Sequence, residues 1–390
     1  MFSIFLSLIF GILVGIICGL IPGIHPNLVN TLLLAFVMKT SINPLFLLVF
    51  IVSVSLTNVV VNFIPSVFVG VPEAGTELSI LPAHKMLIRG AGPEAIRLFM
   101  LGCVGAVLFS STLISASVFI IPKILPFLEK YVWVIIALIS VFLMLKDRRI
   151  SFFIFLLAGT VGVLSSKLPI SQNLVLFPLL SGMFGMSTLI LSMQKQEKIP
   201  RQDKKIVVSK NTIYNSVIKG SFACLLTSLL PGISASAAAM LVSASSTESF
   251  LISVGSIQVI NMFFSFLMLW LIGKGRSGSA VAIKQIVDVG ITEIKLIIII
   301  AVLSTLISVI ITFKLSKFFA KYVEKINYRI LTIFIMTVLT TLVIILTGPY
   351  GLLLFATCTC LGLLPPLLKI RRVHLMGALI IPTILYFLGI

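Results

Sequence analysis

The stretch Gly11–Thr31, GILVGIICGLIPGIHPNLVNT, begins as an apolar run long enough to enter a bilayer, then breaks at Pro22-Gly23 and turns polar. A second stretch, KGSFACLLTSLLPGISASAAAML from Lys219, does the same: Pro231 stands 209 positions after Pro22, Gly232 follows it, and Ser234 and Ser236 take the places of His25 and Asn27. Proline inside a helix removes one backbone hydrogen bond and clashes with the preceding turn, so such a segment splits into two half-helices. Each freed N–H or C=O costs several kcal/mol in lipid, so the break survives only inside protein or against a watery cavity. One broken helix needs no ligand to explain it. A pair at a fixed offset points to a site shared by two halves of a transporter-like chain.

Only 10% of the 390 residues are charged and 59% are hydrophobic, against about a quarter charged in soluble domains. The chain therefore reads as a multi-pass protein of the cell membrane. Lys and Arg number 29 against 11 Asp and Glu, yet the basic residues sit in short connectors between apolar runs. That is the positive-inside pattern of a membrane protein, not a nucleic-acid-binding surface. Cys18, Cys103, Cys224, Cys358 and Cys360 lie in apolar segments without CxxC or neighbouring His, so no metal, disulfide framework or cofactor is expected. The N-terminal apolar segment lacks a basic flank and a small-residue cleavage site, and reads as mature structure.

Spans of membrane length are expected as a broken hairpin at 3–37, then 45–70, 98–120, 131–145, 150–166 and 174–193, and again as a hairpin at 214–246, then 249–272, 291–313, 330–347, 350–365 and 373–389. This gives a first membrane repeat over 1–193, a basic cytoplasmic linker over 194–213 and a second repeat over 214–390. The connectors 146–149, 194–211, 314–329 and 369–372 are the most basic and are expected inside. Counting spans outward from them puts the polar segment 71–97 inside and its counterpart 273–290 outside. The expected fold is therefore all-α and polytopic: two inverted-topology repeats, each a Pro-Gly-broken hairpin followed by about five membrane segments. An offset of 203 also relates Asn58 to Asn261, Gly70 to Gly273, Gly75 to Gly278 and Thr76 to Ser279.

Side chains that could do chemistry cluster around the two breaks. Asn58 and Asn62 share a helix face at i and i+4, as do Gln258 and Asn261 at i and i+3; such amides either glue helices together or line a cavity. Half-helices restarting after Pro22-Gly23 and Pro231-Gly232 would aim unpaired N–H groups at an anion, with His25, Asn27, Ser234 and Ser236 as further donors. Glu73, Thr76 and Glu77 in the first polar segment, and Lys274 and Ser277 in the second, are candidates for ion coupling or for ordinary surface polarity. Gly275-Arg276-Ser277-Gly278 matches the GxSG string of intramembrane serine proteases, but no base lies nearby in sequence. No GxxxxGK[ST] loop for ATP is present.

With these motifs in place, the chain resembles the TctA family, the large membrane subunit of tripartite tricarboxylate transporters. GILVGIICGLIPGIHP is similar to that family's first Pro-Gly motif, and GSFACLLTSLLPGISASAA to its second. FVGVPEAGTELSILPAHKMLIRGAGPEAI resembles its PGTP-type segment, and AGTVGVLSSKLPISQNLVLFPLLSGMFGMS its central glycine-rich region. Two departures bear on substrate: Pro72-Glu73 stands where the family has Pro-Gly, and the family's Asn-Asn motif is reduced to SIQVINMFF, leaving Gln258 and Asn261. The resemblance implies a small membrane subunit and an extracytoplasmic binding protein as partners. PGIS at Pro231–Ser234 is also similar to the PGVSGG of polyprenyl-phosphate translocases. The expected function is ion- or proton-coupled transport of small organic anions, carboxylates first, by alternating access. A lipid-phosphate translocase and, more remotely, an intramembrane protease are the alternatives. Membrane lipids are expected partners, and a homodimer is compatible with the sequence.

Overall fold

The computed structural model describes residues 2–21, 29–30, 33, 43–70, 78, 80–145, 149–193, 200–229, 233–243, 246–323 and 328–388. Among these every regular element is helical. In order they are α1 (Phe2–Leu20), α2 (Pro44–Val61), α3 (Phe63–Phe68), α4 (Ile80–Ile88), α5 (Gly92–Leu145), α6 (Ile150–Ser165) and α7 (Gln172–Leu180). A π-helical turn (Ser181–Met186) joins α7 to α8 (Ser187–Met193). Then come α9 (Lys210–Leu229), α10 (Ala235–Ser243), α11 (Thr247–Ile272), α12 (Gly278–Ile286), α13 (Ile291–Val323) and α14 (Tyr328–Leu367). A 3-10 turn (Arg372–Met376) leads into α15 (Gly377–Leu388).

Seven of the described helices are long and apolar enough to cross a membrane. Where the sequence predicts two spans at 98–120 and 131–145, the structure has the single helical run α5, and α13 carries helix through Lys314, Lys317 and Lys321 of the expected basic connector. Basic side chains do not break a helix, so this run of charge does not mark the helix end. The expected boundary between 347 and 350 is present as a break inside α14 at Gly348 (φ 64°, ψ −162°), a backbone state that side-chain-bearing residues avoid.

Two helices form the centre. The most apolar window of α11 is 89% buried and that of α2–α3 is 72% buried, against 33–39% for α1, α5, α13 and α14. Both central helices are buried on nearly every side, their apolar faces interrupted by buried Ser, Thr, Asn and Gln side chains. On α2 pack α1 and α13; on α11 pack α9 and α5. The long helix that follows each central helix therefore lies against the other central helix.

This packing repeats atom for atom at shifted positions. A β carbon at Gly11 would stand 2.6 Å from Ser53 Cβ and 2.8 Å from the Phe50 carbonyl, and one at Gly220 would stand 3.0 Å from Ser256 Cβ and 2.9 Å from the Ser253 carbonyl. The first pair is offset by 209 (220 − 11) and its partners by 203 (256 − 53 and 253 − 50). At the periphery the same holds: Gly162 lies against the Ala378 carbonyl and Gly362 against that of Met183, while Gly377 meets the Phe155 carbonyl and Gly182 that of Phe355. Here α6 and the second part of α14 are offset by 200 (362 − 162, 355 − 155), and α15 and the π-helical turn by 195 (378 − 183, 377 − 182). Arg372 also ties these peripheral elements together, its Nη1 donating to the Phe184 carbonyl at 3.4 Å and to the Thr188 hydroxyl.

The described part of the basic linker is docked. Lys204 N donates to the Gly90 carbonyl (3.1 Å), Gly92 N to Gln202 Oε1 (2.9 Å) and Gln202 Nε2 to the Leu87 carbonyl (3.0 Å). Arg97 holds Glu94 at 2.7 Å and donates to the Ile206 carbonyl at 2.6 Å. Gly90 has φ +82°, and a β carbon there would sit 2.6 Å from the Arg201 carbonyl. Four of these polar contacts and one obligatory glycine thus fix the strap to the α4–α5 junction.

Candidate functional site

Pro22, Gly23, His25, Asn27, Glu73, Thr76, Glu77, Pro231 and Gly232 lie outside the described residues. The other candidates sit where the central helices meet the short segments beside the breaks.

Asn58 and Asn62 stand at the end of α2, 3% and 4% exposed. Asn62 Nδ2 reaches Asn58 Oδ1 only at 3.5 Å, the outer limit of a hydrogen bond, and Asn62 Oδ1 has no partner among the described residues. An amide oxygen left bare in the interior costs about 1–3 kcal/mol, so this pair is poor glue. In the second cluster Asn261 Oδ1 accepts from the Ser228 hydroxyl at 3.1 Å, and Gln258 is 7% exposed three residues earlier on the same helix face. The offset of 203 that relates Asn58 to Asn261 also relates Gly70 (φ 75°) to Gly273 (φ 66°), each closing a central helix in the left-handed conformation.

Beyond the second break, the Ser234 hydroxyl accepts from Ala237 N at 3.2 Å and so caps α10, while Ser236 Oγ lies 3.2 Å from Ser234 Oγ. Ser236 is fully buried and accepts from Leu78 N at 3.2 Å, tying this tip to the polar segment of the first part of the chain. The converse link is made by Asn30, which sequence reading passed over. Its Nδ2 donates to Ser279 Oγ at 3.0 Å, its Oδ1 is buried without a partner among the described residues, and Ser55 Oγ of α2 stands 2.6 Å from the same Ser279 hydroxyl. The tip that follows each break is thus bonded to the polar segment of the other part of the chain.

Asn30, Ser55, Ser228 and Ser279 are the residues missed. A signal existed for two of them: Asn30 is a polar residue within the first broken hairpin, and Ser279 is the 203-offset partner of Thr76.

Two candidates take structural positions. Ser277 caps α12, its hydroxyl accepting from Ala280 N at 3.2 Å and lying 2.7 Å from Ser265 Oγ, which leaves its lone pairs committed rather than poised for attack. Lys274 is exposed at the α11–α12 junction. Among the described residues no group of three or more His, Cys, Asp or Glu is placed to hold a metal. What the described residues offer is two clusters of buried neutral amides and hydroxyls, each bonded across to the other part of the chain.

The model of the tripartite tricarboxylate transporter TctA family matches residues 5–377. An uncharacterized protein of Methanocaldococcus jannaschii is 32% identical over 358 residues, covering 87% of this chain and 88% of its own. No solved structure matches. The matched region takes in both breaks, both central helices and the seven apolar helices, and the chain, a multi-pass membrane protein, belongs to the TctA family of tripartite tricarboxylate transporters.

Proposed function

We propose that this protein is the permease of a secondary transport system for small organic anions, carboxylates first, working by alternating access with ion or proton coupling. The observation that carries the reading is the family match over nearly the whole chain, 5–377, and the buried amides of the two central helices support it. In this reading the chain is two repeats, 1–193 and 214–390, of inverted topology and joined by the linker 194–213. The recurrent glycine contacts support two repeats, and the distribution of basic connectors supports their inversion.

Substrate binds between the tips. Backbone N–H groups after Pro22-Gly23 and Pro231-Gly232 receive its carboxylates, and Asn58, Asn62, Gln258 and Asn261 hydrogen-bond the rest. The Asn62 oxygen, unbonded among the described residues, and the weakly bonded Asn58 oxygen also suit a sodium ion or a substrate hydroxyl, since amide oxygens serve as neutral ligands of hard cations. Glu73 is the candidate proton carrier. A small membrane subunit and an extracytoplasmic binding protein complete the system, as the family description implies.

The test is uptake of a labelled panel of mono-, di- and tricarboxylates into proteoliposomes under imposed proton and sodium gradients. Gradient-dependent accumulation of at least one member is expected, and its loss by tenfold or more in Asn261→Ala with folded protein retained. Flat uptake across the panel, with and without the binding protein supplied, overturns the reading.

A further inference from the structure

Between α5 and α13 lies a cleft of about 300 Å³ whose walls are Met100, Leu101 and Val104 on one side and Val309, Ile310 and Phe313 on the other. Its mouth is basic. Arg97 and Lys314 line it, and Lys317 Nζ sits 4.2 Å above the Phe313 ring, which brings a third cation to the rim. Among the described residues Glu94, at 2.7 Å from Arg97, partly offsets this charge. Lys314 and Lys317 are exposed and form no ion pair among the described residues.

We infer that this cleft is a binding site for an anionic phospholipid, an acyl chain lying along the apolar walls and the headgroup phosphate meeting Lys314 and Lys317. Both walls belong to apolar helices of membrane length, so the solvent facing the cleft is lipid. The wall residues follow the basic ones inward along α5 and precede them along α13, so chain and headgroup are sorted to the two ends of one groove. Basic pockets between membrane helices on the cytoplasmic side recognise acidic headgroups in this way. Charge complementarity picks an anionic lipid over a zwitterionic one, and over a second copy of this chain, whose surface is itself strongly basic at +18.

The inference needs only that the chain spans a membrane and stands apart from the choice of cargo.

The full-length chain in detergent, titrated with phosphatidylglycerol or phosphatidylcholine and read by native mass spectrometry, supplies the test. Wild type is expected to retain phosphatidylglycerol at least tenfold better than phosphatidylcholine. Lys314→Gln with Lys317→Gln should abolish that preference, Lys314→Arg with Lys317→Arg should keep it, and Lys123→Gln, elsewhere on α5, should leave it unchanged. Equal retention of the two lipids by wild type overturns the proposal. So does undiminished preference in the double Gln variant, or a dimer mass in place of bound lipid. Each readout is taken on the folded monodisperse fraction, so failure to fold is seen directly and the Arg pair still decides.

Discussion

At the scale of single residues, the chain holds buried polar groups at a cost in stability. Among the described residues Asn62 Oδ1 is buried without a partner, and replacing a bare buried acceptor by an apolar group of similar size recovers its desolvation cost. Asn62→Leu is therefore expected to raise stability by about 1 kcal/mol in a thermal melt while lowering uptake at least tenfold. A variant that is both less stable and fully active would assign Asn62 to packing alone. His84, buried on α4 with Nδ1 3.2 Å from the Val67 carbonyl, behaves differently. Burial lowers its pKa below the ordinary imidazole range, only partly opposed by the bond to Val67. Because the folded state favours the neutral ring, its contribution is complete above the unfolded imidazole pKa and is lost as pH falls toward the folded one. Melting temperature should thus drop as pH falls below about 6.5, and His84→Gln should flatten that dependence.

At the scale of elements, close helix contact rests on glycines, and their positions were partly legible. Gly159 and Gly162 are spaced for close packing in the sequence, and in the structure they face Ile381 and Ala378 of α15. The run Gly11, Gly15 and Gly19 carries the same small-residue signal at every fourth position and meets Ser53, Thr57 and Val61 of α2. A backbone carbonyl cannot move aside for a methyl group as a flexible side chain can. Gly162→Ala and Gly362→Ala, which stand in equivalent contacts, should therefore each destabilise by about 1–3 kcal/mol, read by thermal denaturation in detergent. A large loss at one and none at the other would contradict the equivalence of the two interfaces. Helix ends were harder to read. The basic residues at 314–321 suggest a connector by composition, yet lysine is a good helix former and α13 runs through them.

At the scale of the whole molecule, two breaks and two buried helices organise everything else. The breaks and the 203 offset were visible because proline and glycine leave a local signature and because an amide in an apolar run stands out. The exchange of partners, with α5 on α11 and α13 on α2, was not visible, since apolar residues of any helix pack against those of any other and no local pattern names the neighbour. The same holds for the cross-links Asn30–Ser279 and Ser236–Leu78, which join residues 249 and 158 positions apart. These bonds make each tip depend on the other part of the chain, the condition for one site served by both. The docked strap 200–208 adds a mechanical tie between them, and its composition, basic and polar, showed only that it lay outside the membrane.

The central claim is that the two tips face one another near the bilayer midplane. Spin labels on Asn27→Cys and Ser234→Cys, in a chain whose native cysteines are replaced by Ser or Ala and whose uptake is retained, measure it by pulsed electron resonance. Tips sharing one site should lie within about half the hydrocarbon thickness, roughly 15 Å, with the distance changing when a transported carboxylate is added. A separation near the full thickness, about 30 Å, insensitive to any carboxylate, would place the tips on opposite surfaces and contradict the account.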